Sequence, residues 1–352
     1  MGRKIVAAPA LKRINLALQG GGAHGAVTWG VLDRLLEDDR LVIDSISGTS
    51  AGAVIAAALA FGIHEAGASG GRRKLDELWR KLSAFGQWTN PVKRSPFDRA
   101  VGDYSADGSP GYWWLEWMTR AFAPRQFNPL GLNPLRAALV ECIDFAALRA
   151  CDRVKLFMNA TNVRTGKVKI FQIREVSVEA VLASACLPHL FDAVEIDGDH
   201  YWDGGFTGNP ALFPFFYESQ SQDIVLVHVN PLTRDKVPRT AAEIANRLNE
   251  ISFNSVLLGE LRAIGFVRKL LDDGWLKDEY RDRLKSIRMH SIRSDTALDD
   301  LTVASKYNVE LDFLLELKNR GRLVADAWLA ENFESLGRRS SVDIRTLYDG
   351  GA

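Results

Sequence analysis

The chain of 352 residues is long enough to bury a sizeable core, either as one α/β domain or as two smaller ones. Hydrophobic residues at 47% and charged residues at 25% describe an ordinary globular composition. The 44 Lys plus Arg equal the 44 Asp plus Glu, which excludes a net field favouring nucleic acid or an anionic membrane, so no nucleic-acid partner is expected.

Residues 1–11 read as an N-terminal tail, basic but without an apolar run of signal-peptide length. Met1-Gly2 lacks the Ser or Thr at position 6 that myristoylation favours. Ile14 to Gln19 then reads as a short buried strand, and Gly20-Gly21-Gly22 follows at once. Ala23-His24-Gly25 completes a G-x-G-x-x-G spacing, and a helix runs to about Leu36. A dinucleotide fold would use such a turn to approach a pyrophosphate. The next strand, however, carries a candidate nucleophile and not the acidic residue that a ribose needs. The alternative is an oxyanion hole, because three successive glycines let backbone donors converge on one oxygen with a helix dipole behind them.

Asp44 to Phe61 is the stretch around which the chain is organised: a strand ending at Ser47, then Gly48-Thr49-Ser50-Ala51-Gly52, then a helix of small apolar residues. This is the context of a nucleophile elbow, which raises a strained serine hydroxyl above the sheet edge. Gly48 and Gly52 avoid side-chain clashes in such a turn, and the helix N-terminus points its positive end at Ser50. The five-residue pattern alone is weak. It recurs at Gly67-Ala68-Ser69-Gly70-Gly71, which follows no strand, opens onto Arg72-Arg73-Lys74 and reads as a flexible linker.

From Trp88 to Leu135 the regular pattern fails, and Pro129, Gly131 and Pro134 forbid a continuous helix there. Trp113, Trp114 and Trp117 stand at helical spacing. That fits core packing or, alternatively, an apolar cap beside an active site that receives an acyl chain or touches a lipid surface. A helix from Leu135 to about Ala150 returns the chain to the sheet. Lys155 to Ala160 and Val168 to Ile173 are the third and fourth strands, and a helix from Ser177 leads into Ser184-Ala185-Cys186-Leu187-Pro188. Ile196 and Tyr201-Trp202 flank a tight acidic turn before Asp203-Gly204-Gly205, a loop suited to close backbone approach. Ile224 to Val229 fits a buried parallel strand, and Ser286 to Ser291 an edge strand. Ile244, Leu248 and Ile251 form an apolar helical stripe, as do Leu311, Leu314 and Leu315. Neither a linker nor an internal repeat divides the chain. No run reaches eighteen apolar residues, so membrane contact is expected to be peripheral. Cys142, Cys151 and Cys186 cannot all pair, which points to a reducing cytoplasm, and no cysteine–histidine spacing suggests zinc or another metal.

A serine nucleophile needs a base, and six histidines are candidates: His24, His64, His189, His200, His228 and His290. Only His290 comes late enough for an α/β-hydrolase order, and it lies inside a predicted strand, which argues against a triad. The ordered set Gly20 to Gly25, Gly48 to Gly52 and Asp203 to Gly205 resembles the patatin-like phospholipase family in its bacterial form. Ser184 to Pro188 with Phe191 is similar to that family's segment before its aspartate. The resemblance covers roughly residues 12 to 217. It implies a three-layer α/β/α fold with a central, mostly parallel sheet, a serine–aspartate dyad without histidine, no cofactor, and hydrolysis of fatty-acyl esters of phospholipids or lysophospholipids. By that carry-over Ser50 is the nucleophile, Asp203 the base, and Gly20, Gly21 and Gly22 surround the oxyanion, with His24, Gly25, Gly48, Gly52, Gly204 and Gly205 as motif support. Where the family commonly has Arg or Lys this chain has His24, expected either to be neutral and act as a donor or to titrate near neutral pH. The last motif glycine, Gly205, replaces a frequent alanine. His189 and His200 read as ordinary surface or core histidines. The implied organisation is a catalytic domain over 12–217 and a C-terminal extension over 218–352, with a further strand and long helices packed on the same domain. Two other functions fit the same residues: an acyltransferase or polyester-type esterase, and a non-catalytic lipid-binding protein.

Overall fold

The computed structural model describes residues 11–348 except 235 and 282. Its centre is one eight-stranded sheet, β1 (Lys12–Leu18), β2 (Leu41–Gly48), β3 (Lys155–Asn162), β4 (Val168–Gln172), β5 (Val194–Ile196), β6 (Asp199–Asp203), β7 (Asp223–His228) and β8 (Arg288–Arg293), in the order β5-β6-β3-β2-β1-β7-β8 with β4 paired to β3. β1, β2, β3, β7 and β8 run parallel, while β4, β5 and β6 pair antiparallel. The register aligns Leu18 with both Gly48 and Val227, and Gly48 with Met158. The loops leaving these carboxyl ends therefore start at one level, which is where parallel sheets gather their sites.

Alternation along the strands feeds two cores. Leu16, Leu18, Leu156, Met158, Val225 and Val227 join one apolar cluster, whereas Ala17, Phe157, Ile224 and Leu226 join the other. Over the first face lie α1 (Gly25–Leu35), α2 (Ala51–Thr89) and, late in the chain, α6 (Leu311–Asn332). Over the second lies the C-terminal half of α5 (Ala241–Asp272), through Leu257, Leu261 and Ile264. The result is the three-layer α/β/α fold expected. β7 is buried along its whole length, and β8 forms the sheet edge at 288–293, slightly later than the 286–291 expected.

Several local expectations are corrected. Gly67 to Gly71 is not a flexible linker but a corner inside α2, broken at Ala66 (φ −148°, ψ 30°) and Gly67 (φ 64°, ψ −146°). Beyond it Gly70 packs against the Gly62 carbonyl, and Arg72 bonds Asp33 of α1 and Glu37 just after that helix. The run 135–150 is two helices, Pro134–Cys142 and Phe145–Arg149, because Asp144 accepts from the N–H groups of Ala146 and Ala147 and starts a new helix. Between 88 and 135 the chain does form helices, among them α3 (Pro110–Ala121). On α3, Trp113, Trp114 and Trp117 are 59%, 51% and 59% exposed, so the core-packing reading fails. The Ile244, Leu248 and Ile251 stripe is also exposed, and α5 buries its later residues instead. The second stripe does meet the core, through Leu314 beside Phe313 and Leu317. The helix leading out of β4 is α4 (Val178–Ser184), with Ser177 as its N-cap.

Among the described residues, α2 is long and apolar enough to cross a membrane by length and composition, but it is bent at its corner and two thirds of the qualifying window is buried inside the fold. It is the central core helix. The three cysteines are free and buried. The expectations for the first ten residues, including the myristoylation reading, fall outside the described residues.

Candidate active site

Ser50 sits between β2 and α2 with φ 56° and ψ −126°, a region that costs a side-chain-bearing residue about 1 to 3 kcal/mol. The turn is held from several directions. The Ser50 N–H donates to Ser184 Oγ at 3.1 Å, at the C-terminus of α4. Thr49 Oγ1 bonds Asn159 Oδ1 of β3 and donates to the Gly208 carbonyl at 2.9 Å. Gly48 closes β2 and Gly52 opens the first turn of α2 against the Leu18 carbonyl, a contact that a Cβ would fill.

The first glycine loop lies directly against this turn. A Cβ on Gly20 would stand 2.6 Å from Ser50 Cβ and 3.3 Å from Ser50 Oγ, so only glycine permits the approach. The Gly20 N–H donates to Asn209 Oδ1 at 2.8 Å, and its carbonyl accepts from Asn230 Nδ2 at 2.6 Å. Gly20 is therefore committed to the scaffold. Gly21 and Gly22 follow it, and no hydrogen bond from either N–H to a described residue is present, which leaves these two as the open donors. Gly22 adopts φ 60° with the Lys306 carbonyl packed against its α-carbon. Gly25 starts α1 beside Ala51, so the N-termini of α1 and α2 meet at the site.

Asp203 ends β6, paired with Ala160 of β3, and its N–H donates to the Cys186 carbonyl at 2.8 Å. Its side chain is fully buried. Oδ1 accepts from the Gly205 N–H at 2.8 Å, while Asn159 Nδ2 holds the Gly204 carbonyl at 2.8 Å. Gly205 faces the ring of Phe253 on α5. Burial pushes the Asp203 carboxyl up to about 7, opposed by the Gly205 N–H and by the Ser50 side chain. The Ser50 hydroxyl is thus close enough to favour the ionised carboxylate. The pair is not aligned as a formed bond, since Oδ2 is buried with no hydrogen-bond partner among the described residues. Catalytic contacts of this kind often close only around a substrate.

His24 is buried behind the glycine loop. Its Nε2 meets Ser305 Oγ at 2.7 Å and its ring meets Phe313 edge-on, so it pins the glycine loop to the segment before α6. Burial and the charges of Lys306 and Arg234 push its pKa well below the ordinary histidine value, which favours the neutral ring. His290 lies on β8, buried against Asp223 and far from this turn in the sheet order. A cavity of about 650 Å³ opens where Arg94, Glu310 and Asp312 meet, and none of its lining residues belongs to the Ser50 turn or the Asp203 loop.

The sequence reading missed the amides that hold the loops. Gln19 Oε1 accepts from the N–H groups of Val229 and Asn230, and Asn159 ties both the serine turn and the Asp203 loop to β3. One signal was present: Gln19 and Asn230 are amides just past the carboxyl ends of β1 and β7, and Asn159 is an amide inside the apolar run of β3. Among the described residues no group of three or more His, Cys, Asp or Glu side chains is arranged to hold a metal.

The chain matches the model of a family described as patatin-like phospholipase over residues 16–216. No curated protein is significantly similar to it. Among solved structures it is similar to VipD from Legionella pneumophila at 15% identity and a TM-score of 0.41, covering 92% of this chain and 67% of that one. It is similar to the type III effector protein ExoU at 16% identity and a TM-score of 0.30, covering 92% and 53%. The match to full-length ExoU from the type III secretion system of Pseudomonas aeruginosa, in complex with SpcU, is 13% identical with a TM-score of 0.30, covering 91% and 53%. The chain spans about half the length of the ExoU chains.

Proposed function

The chain belongs to the patatin-like phospholipase family, and on that premise we propose that it is a serine acyl hydrolase cleaving fatty-acyl esters of phospholipids or lysophospholipids through Ser50 and Asp203. The observation that carries this reading is a buried carboxylate, raised to about 7, facing the hydroxyl of a serine in a strained strand-to-helix turn.

In this mechanism the ionised Asp203 takes the Ser50 proton as Oγ bonds to the ester carbonyl carbon. The N–H groups of Gly21 and Gly22 hold the developing oxyanion, and the N-terminal dipole of α2 adds to them. The ester C–O bond then breaks, and the leaving alcohol takes the proton from Asp203. Water enters, Asp203 removes its proton, and the resulting attack on the acyl carbon expels Ser50 Oγ, which takes that proton back. The enzyme acts from the cytoplasm and meets its lipid peripherally.

The test is intact-mass labelling by a fluorophosphonate. One adduct on the wild-type chain, absent in Ser50→Ala and formed at least tenfold more slowly in Asp203→Asn, is expected for loss of a general base, whose usual worth is roughly 100-fold or more. Undiminished labelling of Asp203→Asn would remove Asp203 from the mechanism.

A further inference from the structure

The glycine loop rests on residues beyond the stretch matched by the family model, which ends at 216. A Cβ on Gly21 would stand 2.5 Å from Val229 Cγ1, and the Lys306 carbonyl packs against Gly22. Asn230 Nδ2 donates to the Gly20 carbonyl at 2.6 Å. Asn230 is itself buried and fixed, because its N–H donates to Gln19 Oε1 at 3.0 Å, and the Val229 N–H donates to the same oxygen at 2.9 Å.

The bond from Asn230 decides more than where Gly20 sits. The Gly20 carbonyl and the Gly21 N–H belong to one peptide unit. That unit is trans, so its carbonyl and its N–H point in opposite directions. Asn230 follows β7, and in the sheet β7 and β2 flank β1 on opposite sides. A Gly20 carbonyl drawn toward the β7 side therefore turns the Gly21 N–H toward the β2 side, where the Ser50 turn begins. The preceding peptide is held separately, by the Gly20 N–H on Asn209 Oδ1 at 2.8 Å. Two different side chains thus clamp the two peptides that flank Gly20, and the one that carries the Gly21 donor answers to Asn230.

We propose that Asn230 is a positioning residue for the reaction: by holding the Gly20 carbonyl it aims the Gly21 N–H at the oxyanion that forms when Ser50 attacks. The inference rests on the hydrolase reading above, in which Gly21 is one of two open donors. Such a donor is effective when its direction is set before the charge develops, because a peptide that must swing into place during the reaction gives back part of the gain. Without Asn230 the Gly20 carbonyl is a buried acceptor with no donor, and the peptide that turns to find one carries the Gly21 N–H away with it.

The experiment compares the full chain with Asn230→Ala in hydrolysis of a soluble short-chain ester and in inhibition by a trifluoromethyl ketone. Ser50 Oγ adds to the ketone's carbonyl carbon, the Ser50 proton passes to Asp203, and the ketone oxygen becomes an oxyanion facing the same donors. The variant should lose at least tenfold in kcat with KM within about twofold, since the donor acts on charge present only in the transition state. Outright removal of an oxyanion donor costs roughly 100-fold or more. Affinity for the ketone should fall by the same factor as kcat. The corresponding secondary alcohol, which forms no adduct, should bind both chains equally. The midpoint near 7 in the pH profile should stay in place, because Asp203 is untouched.

Thermal melting shows whether the variant is folded. Asn230→Ser, which keeps a polar group but falls short of the Gly20 carbonyl, replaces it if alanine does not fold, with losses expected in the same direction. A folded variant with undiminished kcat overturns the proposal. So does a fall in kcat without a matching fall in ketone affinity, or one accompanied by a moved pH midpoint, since either places the damage away from the oxyanion donors. A wild-type chain that neither hydrolyses the ester nor takes the fluorophosphonate fails the hydrolase reading and carries the proposal with it. An active wild type beside an equally active variant fails the proposal alone.

Discussion

Asp203 and Ser50 are placed in environments that oppose one another. The sheet and the loop after β6 exclude water from the carboxylate, which favours the proton, while the Gly205 N–H and the serine hydroxyl favour the charge. Burial prevails, and the pKa rises from the ordinary 3.8 to about 7. An acid raised in the folded state holds its stabilising contribution fully below the unfolded value and loses it as pH rises through the folded one. Ionising Asp203 thus costs the fold on the order of 4 kcal/mol above neutrality. Two outcomes are expected from pH series on the wild type and Asp203→Asn. The rate of fluorophosphonate labelling should climb with pH through a midpoint near 7 in the wild type, as the base loses its proton, and that limb should vanish in the variant. The variant should also gain stability relative to wild type as pH rises from about 4 to about 7, and the difference should level off above that, measured by urea midpoints. Glu260 is raised to about 7 as well, so only the difference between the two chains isolates Asp203. A wild-type profile flat from pH 5 to 9 would remove the raised carboxylate from the chemistry.

At the scale of elements, what was legible in the sequence followed contiguity. The turn from β2 into α2 and the loop from β1 into α1 are each written in one short run, and both loops stand where their strands end. Periodicity supplied the helices but not the covered side. Trp113, Trp114 and Trp117 repeat as a core face would, and only the packed structure leaves them open. The supporting amides were illegible as a group because Gln19, Asn159 and Asn209 converge from distant parts of the chain. The crossing of α1 with α6 is of the same kind. Gly30 faces the Lys318 carbonyl, and Gly321 faces the Val27 carbonyl, so two backbones touch where neither helix alone announces it. Gly321→Ala should therefore lose about 2 kcal/mol from overpacking, even though alanine is the better helix former. Gly259→Ala on α5, with open space around it, should gain up to about 1 kcal/mol instead. Equal shifts in the two urea midpoints would mean that the helix crossing is loose.

For the whole molecule, the chain after 217 completes the sheet that bears the Ser50 turn. β7 pairs with β1, β8 pairs with β7, and residues 340–341 cover the outer edge of β8 through Met289. Asp223 fastens this arrangement. At the start of β7 it is buried and accepts from Arg288 at 2.7 and 3.0 Å, from the Gly337 N–H at 2.9 Å, and meets His290 Nε2 at 2.9 Å. His290 in turn contacts Ser341 at 3.1 Å, so one carboxylate joins two strands to the segment that follows α6. Although burial raises its pKa, the bonds from His290, Arg288 and Gly337 outweigh that effect and hold the carboxyl well below the usual range. A depressed acid contributes stability that is present above its unfolded value and lost as pH falls through the folded one. Asp223→Asn should consequently lose roughly 3 kcal/mol at neutral pH, because Arg288 and His290 keep their places without the charge they face. The gap between variant and wild type should close only as pH falls below 3.8, the ordinary aspartate value. Denaturant midpoints of both chains across an acid series measure it. A gap that persists unchanged into strong acid would mean that the variant suffers from shape rather than from lost charge. Because β7 lies next to β1, loosening it should also slow labelling of Ser50, which ties the C-terminal third to the site through the sheet.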